Sequence, residues 1–112
     1  MNARRLTGLA ALSAAIAIIA GAFGAHSATG AAIDWLKTGG TYQLIHAVAT
    51  LTLVQRFRRA ALTLLVGSTI FSGSLYGMAL GAPRWLGAIT PIGGLIMIAG
   101  WSACALAAWR SK

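Results

Sequence analysis

Gln55-Arg56-Phe57-Arg58-Arg59 is the stretch whose reading decides the fold. It places three arginines within five residues, between two apolar runs, near the middle of a chain of 112 residues. Working outward, the next basic clusters are Arg4/Arg5 at the start and Arg110/Lys112 at the end. These three places hold seven of the nine basic residues, and the two intervening gaps hold only Lys37, Arg84 and the single acid, Asp34. Apolar stretches separated by alternately strong and weak basic gaps mark a chain that crosses a bilayer four times, arginines on the cytoplasmic side. The expectation is an all-α integral membrane four-helix bundle, N-in/C-in, with residues 1–112 as one four-span domain.

Composition agrees. The chain is 58% hydrophobic and 9% charged, with a mean hydropathy of +0.78. A soluble domain carries roughly a quarter charged residues, so this chain cannot clothe itself for water. A net charge of +8 raises the question of nucleic acid. The charges lie in the gaps and form no stripe along one element, so no nucleic-acid partner is expected. They serve as orientation signals and as anchors for anionic headgroups. Cys104 is the only cysteine, which excludes an intrachain disulfide and a cysteine-based metal site.

The spans fall at about residues 6–25, 41–55, 60–80 and 90–109, each needing close to 20 residues to cross. The first follows Arg4/Arg5 and ends near a small-residue stretch resembling a signal-peptide cleavage site. Its run of about 20 residues exceeds a usual signal core, so it is expected to remain as a helix. On it Ala10, Ala14, Ala17, Gly21, Gly24 and Ala25 share one face, expected to meet other helices, with Leu9, Leu12, Ile16 and Ile19 opposite, toward lipid. The segment from residue 26 to 40 reads as a polar outer link, leaving the second span short. In the third, Gly73, Gly77 and Gly81 recur every four residues as a tandem small-residue packing motif. Thr90-Pro91 reads as cap and first turn of the fourth, with Gly93 and Gly94 just inside and Trp85 and Trp109 bracketing it at the interfaces.

Placed by depth, the polar side chains gather. His26, Tyr42, Gln43, His46, Ser72, Ser74, Tyr76 and Thr90 are all expected in the outer half of the bilayer, within roughly 12 Å of depth of one another. Ser13, Thr50 and Thr63 read as scattered exceptions in the inner half. Polar groups facing hydrocarbon are costly, so these faces should turn toward one another. The cluster reads either as interhelical hydrogen bonding that fixes packing or as a site for a ligand or proton. Two imidazoles on facing helices suit a haem, but His46 is expected some 7 Å deeper than His26, an awkward offset for one ligand axis. With one acid and one cysteine, no metal shell and no catalytic triad can be assembled, and neither cofactor nor enzymatic activity is expected.

Four motifs carry a family resemblance: Gly21-Ala-Phe-Gly-Ala-His26, Tyr42-Gln-Leu-Ile-His46-Ala, Phe71-Ser-Gly-Ser-Leu-Tyr76, and Thr90-Pro-Ile-Gly-Gly94 followed by Gly100-Trp101. In this order, over nearly the whole chain, they resemble the YgdD and transmembrane protein 256-like family of small membrane proteins, a domain of unknown function. The resemblance implies a four-helix protein with an uncleaved first helix and implies no established activity. The expected role is a non-enzymatic accessory or assembly component of the bacterial inner membrane, packing through small-residue faces against a larger complex or a second copy. The alternative, of another class, is a binding or translocation unit for a quinone, haem or small polar solute.

Overall fold

Asn2 starts the first helix, its side-chain oxygen accepting the Arg5 backbone N–H at 2.9 Å. In the computed structural model, which describes residues 1–111, the chain forms α1 (Ala3–His26), α2 (Ala31–Leu53), α3 (Arg58–Ala79), a short 3₁₀ segment (Arg84–Ala88) and α4 (Thr90–Arg110). The fold is all-α. Of the terminal basic pair, Lys112 lies outside the described residues.

The second helix differs from its sequence reading. It begins ten residues earlier than expected, so residues 31–40 are helix where a polar link was expected. Three of its polar residues, Gln43, His46 and Thr50, lie on its buried face, recurring at helical spacing with the buried Leu36, Gly39, Gly40 and Ala47, while Ile45, Val48 and Leu51 are exposed. The helix is inside out by the standards of a soluble protein. At 23 residues it is about 34 Å long, enough to cross a bilayer. By length and composition together, three segments qualify as spans, namely α1, α3 and residues 84–110. The polar stripe keeps α2 off that tally.

The same inversion runs through the molecule. Leu12, Ile18, Ile19, Leu95, Ile98 and Leu106 face outward, whereas the fully buried side chains include Thr50, Ser68 and Ser72. Water does not tolerate so many large apolar groups outside, and lipid does. On α1, Leu9, Leu12, Ile16 and Ile19 are exposed as expected, while of the small face Ala10, Ala17 and Gly24 are buried, Ala14 is half-buried, and Gly21 and Ala25 are exposed.

The helices pack in chain order, α1 on α2, α2 on α3 and α3 on α4, with a lighter contact of α1 with α3. Among the described residues the backbones of α1 and α4 do not approach each other, so the row is open. At one end, Leu6, Val54, Ala61 and Leu65 bring the start of α1, the end of α2 and the start of α3 together. The Arg56 guanidinium donates to Ser111 Oγ at 3.1 Å, adding the end of α4. Arg4, Arg5, Arg56, Arg58, Arg59 and Arg110 therefore share this end. At the other, the Arg84 guanidinium lies 5.9 Å from the Trp35 ring. There Gly81, at φ +101°, supplies the left-handed turn that stops α3, a backbone state most residues resist.

Candidate functional site

The most buried polar chemistry spans the middle of the helix row. Gln43 of α2 is its hub: Nε2 donates to Ser13 Oγ of α1 at 3.0 Å, and Oε1 accepts the Tyr76 hydroxyl of α3 at 2.6 Å. One amide thus ties three helices. Tyr76 reaches it by passing close over Gly39, where an added Cβ would stand 2.6 Å from Cε1 of the ring. Beside it the Ser72 hydroxyl donates to the Gly39 carbonyl at 2.7 Å.

His46, one turn further along α2, has both ring nitrogens engaged. Nδ1 lies 2.7 Å from the Tyr42 carbonyl oxygen, which can only accept, so Nδ1 carries the hydrogen. Nε2 then offers its lone pair to the Trp101 indole N–H of α4, 3.0 Å away. The network assigns the neutral Nδ1–H tautomer, because a second ring proton would face the indole donor. Trp101 packs edge-on against the imidazole, with ring centroids 5.8 Å apart. It is a side-chain bridge from α4 to α2 that skips α3. Deeper still, the buried Thr50 hydroxyl donates to its own helix at His46 O, 2.7 Å, and lies 3.3 Å from the Ala61 carbonyl of α3.

Two expected members stand apart. His26 is the exposed last residue of α1, whereas His46 lies fifteen residues into α2, about 22 Å along the helix from the end where His26 sits. The expected offset of 7 Å rested on a second helix that began at residue 41. The two imidazoles cannot share a haem iron. Thr90 is no helix cap either: Ile89 holds that position, and the Thr90 hydroxyl pairs with Ser74 Oγ at 2.5 Å, joining α3 to α4 near the loops. The expected single layer is therefore a ladder of links at several depths. Ser74–Thr90 is outermost on α3 and α4, Ser13–Gln43–Tyr76 is central, and His46–Trp101 lies past the centre toward the arginine end. Tyr42 contributes its carbonyl, while its half-exposed ring packs on Phe71 at 4.9 Å.

Sequence reasoning set Ser13 and Thr50 aside as scattered groups and read no partner for Trp101. The available signal was Trp101 itself. A tryptophan in mid-span, away from the interfaces where the ring sits well, needs an acceptor for its N–H. Every buried side-chain nitrogen or oxygen among the described residues has a partner. Among them no three metal-binding side chains gather either.

The glycines divide into two groups. Gly67 and Gly93 form the α3–α4 crossing, where a Cβ on Gly67 would come within 2.7 Å of the Met97 nitrogen and one on Gly93 within 2.7 Å of the Gly67 carbonyl oxygen. Gly100 closes on Leu64, Gly24 on Leu36, and Gly40 on the Ala17 carbonyl. The tandem Gly73-Gly77-Gly81 motif does not form a helix crossing within this chain. A Cβ on Gly73 would meet nothing within 4 Å, Gly77 faces only Leu86 and Ala82, and Gly81 forms the turn. Gly21 and Gly94 also face open space.

Three shallow grooves accompany this framework. One of about 480 Å³ runs along α1 and α2 past Ala17, Gly21 and Gly40. A second, about 410 Å³, lies between α1 and α3, floored by Ser13 and Gln43. The third, about 370 Å³, lies beside the arginines of the α2–α3 turn. None of the three is lined by His46.

Comparison with known proteins places this architecture. Residues 20–94 match the family model described as "Protein of unknown function (DUF423)". The UPF0382 inner membrane protein YgdD of Escherichia coli K12 is 37% identical over 124 aligned residues, covering 100% of this chain and 95% of that protein. A UPF0382 membrane protein of Haemophilus influenzae is 36% identical over 115 residues, 93% of each chain, and one of Staphylococcus epidermidis is 43% identical over 105, covering 83% of this chain and 85% of its own. No solved structure matches. The resemblance read from the four motifs is borne out. The chain is a multi-pass protein of the bacterial inner membrane and belongs to the DUF423, or UPF0382, family of membrane proteins.

Proposed function

We propose that the protein is a non-enzymatic accessory or assembly component, a four-span bundle with both ends in the cytoplasm, that docks a further transmembrane helix against its small-residue faces. The observation carrying this reading is the uncovered groove along α1 and α2. Ala17, Gly21 and Gly40 leave about 480 Å³ there that no helix of this chain fills. Small residues allow the backbones of two helices to approach, the main source of helix affinity where lipid removes the hydrophobic drive. Gly73 and Gly94 offer similar open positions on α3 and α4. The reading of the buried polar links as framework is supported by their mutual satisfaction, both nitrogens of His46 included. The orientation is supported by charge: six arginines at one end, against Lys37 and Arg84 at the other, favour the arginine end inside.

Gly21→Leu tests the docking. A Cβ there meets nothing within 4 Å and the groove beyond it is open, so the fold should be kept, while co-migration with a partner or a second copy in mild detergent should be lost. A wild-type protein that stays monomeric in every mild detergent and in nanodiscs counts against the proposal.

The alternative is a ligand-binding unit, and what favours it is the second groove, where Ser13 and Gln43 form a polar floor beneath apolar walls. A quinone headgroup fits that chemistry better than a haem held by two histidines. Binding of a soluble quinone analogue that Ser13→Ala abolishes, at a loss of stability no larger than that of one interhelical hydrogen bond, about 0.6 kcal/mol, would favour this reading over assembly.

A further inference from the structure

We infer that the groove beside the α2–α3 turn is a specific site for the phosphodiester headgroup of an anionic glycerophospholipid. Residues 54–57 turn the chain between α2 and α3 and deliver Arg56, Arg58 and Arg59 to one rim. Arg56 is held in place, its guanidinium bonded to Ser111 Oγ at 3.1 Å and lying over the Phe57 ring at 5.2 Å. Arg58 and Arg59 are exposed at the mouth. The only side-chain carboxylate in the sequence, Asp34, sits at the opposite end of the molecule.

Two further features select phosphate and lipid. The first turn of α3 has no side-chain cap, so the positive pole of that helix lies uncapped at residues that line the groove, Arg58, Arg59 and Ala60. The uncharged part of the lining is the buried Ala60 of α3 with Ala103 and Ala107, both small and exposed on the outward surface of α4. A free anion has no use for that wall, whereas an acyl chain does. About 370 Å³ accommodates a phosphate with the upper part of one chain. Basic pockets between spanning helices recognise anionic headgroups in this manner. A zwitterionic lipid would set its ammonium among the arginines and be disfavoured.

The test uses the full chain in nanodiscs of mixed phosphatidylglycerol and phosphatidylethanolamine, with retained lipid counted by native mass spectrometry after detergent extraction. Wild type should retain phosphatidylglycerol in preference. The Arg58→Gln/Arg59→Gln variant should lose that retention about 30-fold, the factor carried by two arginines at a membrane surface. The Arg4→Gln/Arg5→Gln variant removes equal charge at the same end and should change it less than about twofold, given that neither residue lines the groove. Ala107→Trp keeps every charge and fills the wall. It should abolish the preference for phosphatidylglycerol by occupying the space that the phosphate and the first chain carbons need, and it decides the matter if the arginine variant fails to insert. Inorganic phosphate at millimolar concentration should not displace the lipid. Equal losses in both arginine variants, an Ala107→Trp protein that retains lipid as wild type does, or displacement by inorganic phosphate each overturn the proposal.

Discussion

Replacing Tyr76 with phenylalanine removes one atom and one hydrogen bond, the 2.6 Å contact with Gln43 Oε1, while the ring still covers Gly39. Interhelical hydrogen bonds in membranes average about 0.6 kcal/mol and reach about 1.7 kcal/mol. Tyr76→Phe should therefore destabilise the protein by about 0.6 kcal/mol, rising toward 1.7 if the short contact is a strong one. Gln43→Leu removes this bond and the 3.0 Å bond to Ser13, so its cost should be about twice as large, roughly 1.2 kcal/mol. The double variant should cost little more than Gln43→Leu alone, because the Tyr76 hydroxyl has already lost its acceptor. The coupling energy of the cycle is then about 0.6 kcal/mol or more. Reversible unfolding in mixed micelles with increasing dodecyl sulfate, followed by circular dichroism, gives the three differences. Strict additivity would mean that the amide and the phenol do not meet, and the three-helix hub described above would be wrong.

Other outcomes follow from the packing and the bilayer. Gly93→Ala should destabilise by about 1–3 kcal/mol, since the α3 and α4 backbones must part to admit the methyl group, read by the same micelle titration. Gly73→Ala, with nothing within 4 Å, should be neutral or stabilise by up to about 1 kcal/mol through helix propensity. Ile16→Asp, at an exposed mid-helix position, would be near neutral in water but should abolish accumulation in the membrane fraction, at a cost of about 3 kcal/mol for the buried charge. In a Cys104→Ser background, an impermeant maleimide applied to intact cells should label Thr29→Cys and leave Gln55→Cys unlabelled until the membrane is opened, and the reverse pattern sinks the proposed orientation.

The arginine spacing and the small and apolar faces of α1 made the number of helices and the lipid-facing side of the first legible in the sequence. The start of α2 was not. Asp34, Lys37, Thr38, Gly39 and Gly40 read as a link because hydropathy counts side chains without knowing which face of a helix they occupy. Here the two glycines are buried against α1 and α3, and Asp34 and Lys37 project from the other sides. The misplaced start shifted the depth of every group on that helix, which is why His26 seemed close to His46. Of the polar face read on that helix, Gln43 and His46 are buried whereas Tyr42 is exposed, and the partners of the Gln43 amide and of His46 Nε2 lie on other helices at positions that spacing along one helix does not reveal. Ser13 and Trp101 are of this kind. The Gly73-Gly77-Gly81 repeat shows the converse, a sequence pattern suited to close packing whose first glycine finds no neighbour in its own chain.

The buried polar stripe of α2 has a consequence for biogenesis. A segment carrying Asp34, Lys37, Gln43 and His46 partitions poorly from the translocon into hydrocarbon on its own merits. Its amide and the Nε2 of its imidazole find partners only when Ser13, Tyr76 and Trp101 are present. Ser13 emerges from the ribosome first, and Tyr76 and Trp101 come later. Nascent chains arrested before α3 should therefore leave α2 outside the lipid phase or held at the insertase, and lengthening the chain past Tyr76 should release it into the membrane together with its neighbour.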